Sequence, residues 1–237
     1  MIKLDHISLC YETEKALDHV SIAIDEQEAY TIIGRSGCGK SSLAGIMAKL
    51  TLPTAGSVSY QGTINENEFF KNTSLCLQGS NLFPWKTVYE NILFVLKIRG
   101  IKEHREQKAE EALSAVGMND YKDKYPIHLS GGQRQRAALA CALASRANWM
   151  ILDEPSTGLD YYAKEDFRLL ILRIYKKYKI GYLLITHDIE EAVTLGRKII
   201  VMEKANIKDV IDNPHFMEED HKQDYHDFVK KLKECLF

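Results

Sequence analysis

The run Gly34-Arg35-Ser36-Gly37-Cys38-Gly39-Lys40-Ser41-Ser42 constrains this chain more than any other stretch, because it fits the pattern G-x-x-x-x-G-K-[ST]. Before it stands the apolar segment Tyr30-Thr31-Ile32-Ile33. After it, Leu43, Ile46, Met47 and Leu50 recur at helical spacing and stop before Pro53. Strand, glycine-rich loop and helix in that order are the setting in which the pattern cradles phosphates. Several backbone N–H donors must converge on the phosphate oxygens, and glycines let the chain turn tightly enough to aim them. The helix adds the positive end of its dipole. Lys40 offers a point charge to the outer phosphates, and the Ser41 hydroxyl is a hard oxygen suited to Mg²⁺.

The remaining pattern is that of an α/β chain. Apolar residues alternate at Ile2 and Leu4, at Ile7 and Leu9, and at Val20, Ile22 and Ile24, which predicts a short N-terminal antiparallel sheet. Segments 149–152 and 182–185 are short apolar runs of the kind buried in a parallel sheet, with a helical stretch at 164–178 between them. Thr87 and Glu90 are spaced as a capping box, opening a helix that closes at Gly100. Ala109, Ala112, Leu113 and Val116 share one helical face, with Gly117 as its stop. With a further helical piece at 133–146, these predict a helical lobe over 84–146.

A chain of 237 residues can bury a sizeable core near the limit at which cores divide. One domain with an attached lobe is expected: residues 1–83 and 147–237 carry the β subdomain and the α/β core, and 84–146 form the helical insertion. Lysine plus arginine total 31 against 33 acidic residues, so a net charge of -2 gives no basic field for nucleic acid as a main partner. Five scattered cysteines show neither the CxxC spacing of a zinc site nor a secreted disulfide framework, which fits a reducing cytosol. No apolar run approaches the roughly 20 residues of a spanning helix. Membrane contact is therefore expected to run through a partner protein.

Two carboxylates, Asp153 and Glu154, end the apolar run at 149–152, at the sheet edge where α/β ligands bind. Asp153 is placed to hold Mg²⁺ hydration, and Glu154 to orient or deprotonate an attacking water. Leu129-Ser130-Gly131-Gly132-Gln133 adds an anion site at a helix start. With this element the chain resembles the nucleotide-binding subunits of ATP-binding cassette (ABC) proteins, a P-loop NTPase core with a mostly parallel sheet, an N-terminal antiparallel β subdomain and an inserted α-helical subdomain. The resemblance implies that Ser130, Gly131, Gly132 and Gln133 face the phosphate loop of a second copy, so that ATP lies between two chains.

Further family positions follow in order over nearly the whole chain. The resemblance makes Tyr11 the aromatic that stacks on adenine and Gln78 the glutamine that links Mg²⁺ and the attacking water to the lobe. It makes 156–160 the loop that communicates between two sites, and His187 the histidine at the terminal phosphate. Cys38 reads as a tolerated small residue within the loop. Stacking on Tyr11 is open to adenine or guanine.

Transporter motors, DNA-repair ATPases and soluble cassette factors all belong to this resemblance. Gln78 and Ser130 lie too close in sequence for the long coiled coil of DNA-repair cassettes, the chain carries one cassette, and no membrane helices are fused to it. A separate transporter subunit is expected, with a soluble cassette ATPase or an exporter subunit as the alternatives. Thr186-His187-Asp188-Ile189-Glu190-Glu191-Ala192 is similar to the form in bacterial importers, and 82–92 resembles the nitrate, sulfonate and taurine importer group. The implied partners are a second copy, transmembrane permease subunits and, indirectly, a solute-binding protein, on the cytoplasmic face of the membrane. Gln27 and the pair Tyr161-Tyr162 depart from that group's usual residues. The segment 92–96, apolar around its whole circumference, is either lobe core or a surface for a permease helix, with Phe83 and Trp85 beside it.

Overall fold

The computed structural model describes residues 1–12, 14–60, 73–77, 79, 82–218 and 223–236. Along the chain lie β1 (Ile2–Tyr11), β2 (Glu14–Ile24), β3 (Ala29–Gly34), α1 (Lys40–Met47), β4 (Ala55–Tyr60), β5 (Thr73–Cys76), α2 (Val88–Ile98), α3 (Arg105–Val116), α4 (Gly131–Ala144), β6 (Trp149–Asp153), α5 (Tyr161–Tyr178), β7 (Gly181–Ile185), α6 (Ile189–Leu195), β8 (Lys198–Glu203), β9 (Asn206–Asp212) and α7 (Gln223–Leu236). Two sheets organise them: an antiparallel one in the order β2-β1-β4, and a six-stranded one in the order β5-β6-β7-β3-β8-β9. The second is parallel except for β9, which runs antiparallel to β8 at the edge.

The antiparallel sheet forms as the alternation predicts, and the phase break between Leu4 and Ile7 has a structural cause. Asp5 and His6 both face solvent at a bulge, with His6 at φ 49°, so the inward face resumes one residue late. The third strand, β4, carries too few apolar residues to announce itself. Buried strands of the large sheet place alternate residues on opposite faces. Trp149, Ile151, Leu183 and Ile185 pack with α1 and the antiparallel sheet, while Met150, Leu152, Tyr182 and Leu184 pack under the helices.

The capping box at Thr87 and Glu90 is present, with Glu90 N donating to Thr87 Oγ1 at 3.2 Å and Thr87 N to Glu90 Oε2 at 2.8 Å. Such a cap stabilises a helix by roughly 1 kcal/mol. α2 ends at Ile98, and Gly100 turns at φ 71° just beyond. Gly117 caps α3 at φ 68°. α4 and α5 begin earlier than the apolar spacing suggests, because Ser130 and Asp160 cap them. The buried residues of α2, α3 and α4 share one cluster with the underside of the sheet. At the C-terminus, Tyr225, Val229 and Leu232 of α7 pack on α6 and β8. No described helix is long and apolar enough to cross a membrane.

Candidate active site

β3 is buried along its whole length and delivers the chain into the loop ahead of α1. Gly39 ends that loop at φ 100°, and a Cβ there would lie 2.2 Å from the Ala16 carbonyl oxygen. Only glycine meets both conditions. α1 follows Gly39 with no side-chain cap and no acidic residue in its first turn, so its N-terminal amides face the loop unneutralised. Lys40 is 7% exposed, and its Nζ donates to the Gly34 carbonyl at 2.9 Å and the Arg35 carbonyl at 3.0 Å. The ammonium is thus held inside the loop.

The next strands of the sheet bring acidic groups to the same edge. Ser41 Oγ donates to Asp153 Oδ1 at 3.3 Å. Burial raises the Asp153 carboxyl above its usual range and the adjacent Glu154 pushes the same way, while Ser41 and the Lys40 charge oppose them. Glu154 stands at φ 46°, a left-handed conformation that costs a non-glycine residue energy. Its amide donates to the Ile185 carbonyl at 3.0 Å, which fixes the turn against β7. Glu154 Oε2 accepts from Thr157 Oγ1 at 2.9 Å, and Oε1 lies 3.6 Å from His187 Nδ1. Asp153, Glu154 and His187 therefore share one rim with the loop.

Ser130 caps α4 in a reciprocal box with Gln133, accepting from Gln133 N at 3.3 Å and donating its own N to Gln133 Oε1 at 3.0 Å. Among the described residues its hydrogen bonds stay within this helix start. Gly131 and Gly132 lie against Leu159, in the loop after Glu154. Tyr11, at the end of β1, is 52% exposed. Gln78 lies outside the described residues.

Two contributors are not legible in the sequence. Thr157 gains its role only by donating to Glu154, which its place in a loop does not signal. Glu191 reads as a first-turn helix acid, yet it is 2% exposed, and burial raises its carboxyl while the Thr186 and Ser156 hydroxyls oppose the rise. It thus lies between the segment before His187 and the loop after Glu154.

The fold and its site define an ATP-binding cassette. Two solved cassettes align over 90% of this chain and 98% of their own, at TM-score 0.79 and 28% identity. One is a dimer in a post-hydrolysis state with ADP and Pi, and the other a dimeric bacterial ABC transporter cassette. Residues 17–157 match the ABC transporter family, and the chain belongs to it. It is 36% identical to the aliphatic sulfonates import ATP-binding protein SsuB of Burkholderia ambifaria over 87% of this chain and 62% of that protein. The chain therefore spans less than two-thirds of that relative's length. The taurine import ATP-binding protein TauB of Mesorhizobium japonicum is 38% identical over 84% of this chain and 78% of its own. Aliphatic sulfonates import ATP-binding protein SsuB 1 of Shouchella clausii is 33% identical over 99% and 90%.

Proposed function

We propose that this chain is the ATP-hydrolysing subunit of an importer, which closes with a second copy over two ATP and drives uptake of a sulfonate- or taurine-type solute through permease subunits. The observation that carries this reading is the shared rim: Ser41 beside Asp153, and Glu154 beside His187, next to the loop that holds Lys40. The loop residues Gly34 through Ser42 hold the phosphates, and the exposed Tyr11 stacks on the base. Glu154 orients and deprotonates the attacking water, and His187 contacts the terminal phosphate. Gln78 takes its part from family resemblance.

The donor set suits Mg²⁺: Ser41 and Asp153 offer hard oxygens, and a part-buried carboxylate with a raised pKa is short of counter-charge. The chemistry a bound Mg²⁺ supplies is neutralisation of charge on the outer phosphates. From the facing copy, Ser130, Gly131, Gly132 and Gln133 close the site, since the first turn of α4 holds no acidic residue to offset the helix's positive end.

The helices over 84–146 act as the lobe that meets the membrane partner. Trp85 is 69% exposed and Ile98 65%. Val95, Ile98 and Leu50 line a cavity of about 380 Å³ beside them. Ile92 and Leu96 belong to the core, so the contact surface is the rest of α2 and the turn before it. In this reading the subunit works on the cytoplasmic face of the membrane, with a solute-binding protein engaged indirectly. Glu154→Gln should retain ATP binding and slow phosphate release by roughly 10²–10⁴. Near-normal turnover in that variant sinks the assignment.

A further inference from the structure

Cys38, in the phosphate loop, and Cys235, in the last turn of α7, are nearly the whole chain apart in sequence. The fold brings both to one cavity of about 240 Å³, lined also by Arg35, Glu203, Lys204 and Leu236. The helix end is anchored there. Lys208 Nζ donates to the Cys235 carbonyl at 2.7 Å and pairs with Glu203 at 3.1 Å, which ties α7 to the β8–β9 turn. That turn lies beside the loop, since Gly34 pairs with Met202 in the β3–β8 ladder and Lys204 lines the same cavity as Arg35 and Cys38. Cys38 is 7% exposed, with Sγ 4.0 Å from Lys40 Nζ, whereas Cys235 is half-buried.

We propose that Cys38 and Cys235 form a modification site that reacts with a low-molecular-weight disulfide and closes to an intramolecular disulfide, shutting off nucleotide binding. The second half of this rests on the ATP-binding role of the loop. Cys235, the more accessible thiol, gives up its proton to solvent and attacks the small disulfide. The S–S bond breaks, and one small thiolate leaves and takes up a proton. Cys38 then loses its proton and attacks the Cys235 sulfur, displacing the second small thiolate. Two protein thiols are oxidised and one small disulfide is reduced to two thiols. Burial raises the Cys38 thiol while the Lys40 charge opposes the rise, so Cys38 is suited to the second, intramolecular step. Cys76 and Cys141 do not compete, because burial pushes both thiols up to about 12.

A disulfide holds its two Cα atoms about 4.4–6.8 Å apart. The tie binds the loop to α7 and holds Lys40, two residues from Cys38, off the phosphates. Incubating the full chain with oxidised glutathione, followed by unreduced peptide mapping and titration with a fluorescent ATP analogue, tests this. We expect a Cys38–Cys235 linked peptide and an affinity lower by about tenfold or more, the loss expected when one charge-assisted contact to the phosphates is removed, restored by dithiothreitol. Cys235→Ser should keep its affinity through the same treatment. Absence of the linked peptide, or an equal loss in oxidised Cys235→Ser, overturns the proposal. A reduced chain that fails to bind the analogue overturns the ATP reading instead, since the peptide map reads the cross-link independently.

Discussion

Burial raises the Asp153 carboxyl, and the Ser41 hydroxyl and Lys40 only partly hold it down. With the folded-state pKa above the unfolded one, the ionised side chain costs stability at neutral pH, and that cost disappears as pH falls through the folded pKa. Asp153→Asn should therefore raise the melting temperature of the nucleotide-free chain at neutral pH while abolishing Mg²⁺-dependent turnover. The gain should shrink toward acid as the wild-type carboxyl takes up its proton. Calorimetry across about pH 4 to 7 checks this, and equal melting temperatures at neutral pH would refute it. Glu154 carries a related cost in its backbone at φ 46°, held by Ile185 and Thr157. If Glu154 acts on the attacking water as proposed, it is a functional group kept at some expense to stability, a common trade at catalytic sites.

Two glycines of the loop differ in what surrounds them, which gives a test at the level of the β3–loop–α1 unit. Gly39 has φ 100° and only 2.2 Å between a built Cβ and the Ala16 carbonyl oxygen of β2, whereas Gly37 has φ 79° and no atom within 4 Å of its built Cβ. Gly37→Ala should lose about 1–2 kcal/mol, the cost of a left-handed residue with a side chain. Gly39→Ala should lose more, because β2 must also shift, and its ATP affinity should fall with it. Urea denaturation of the two variants measures the difference; equal losses would mean that β2 does not brace the loop. The same unit depends on β7 and β8 flanking β3, since those neighbours fix where its carboxyl end points.

Across the whole molecule, the helices over 84–146 share a core with the sheet, so a push on their outer surface has a packed route to the rim of Asp153 and Glu154. Asn91, 2% exposed, holds the turn before α2 by accepting from Phe83 N at 2.7 Å and donating to the carbonyls of Phe83, Lys86 and Thr87. That turn presents Trp85, whose ring lies 5.3 Å from Phe83. Exposed aromatics on a braced turn are the anchors that dominate interfaces, and truncating one costs about 2 kcal/mol or more. Trp85→Ala should weaken co-purification with the permease subunits at unchanged melting temperature. Full recovery of the complex would remove this surface from the contact.

The sequence by itself determined the glycine-rich loop between strand and helix, the acidic strand end, the capping box at Thr87 and the α/β class, because each depends on residue types at short spacing. The break in alternation at Asp5 and His6 was also written there, although its meaning as a bulge needed the strand pairing. Tertiary structure alone decided the pairing order that sets β3 between β7 and β8 and β6 beside β7. It also decided the burial of Glu191, the bond from Thr157 to Glu154 and the placing of Cys235 and Cys38 on one cavity. These depend on contacts between segments far apart in the chain, and local pattern carries no record of which distant surfaces will share a neighbour. The opening loop was legible as a cradle; that Lys40 rests on its own loop's carbonyls, and that α7 ends against its flank, was decided only by packing.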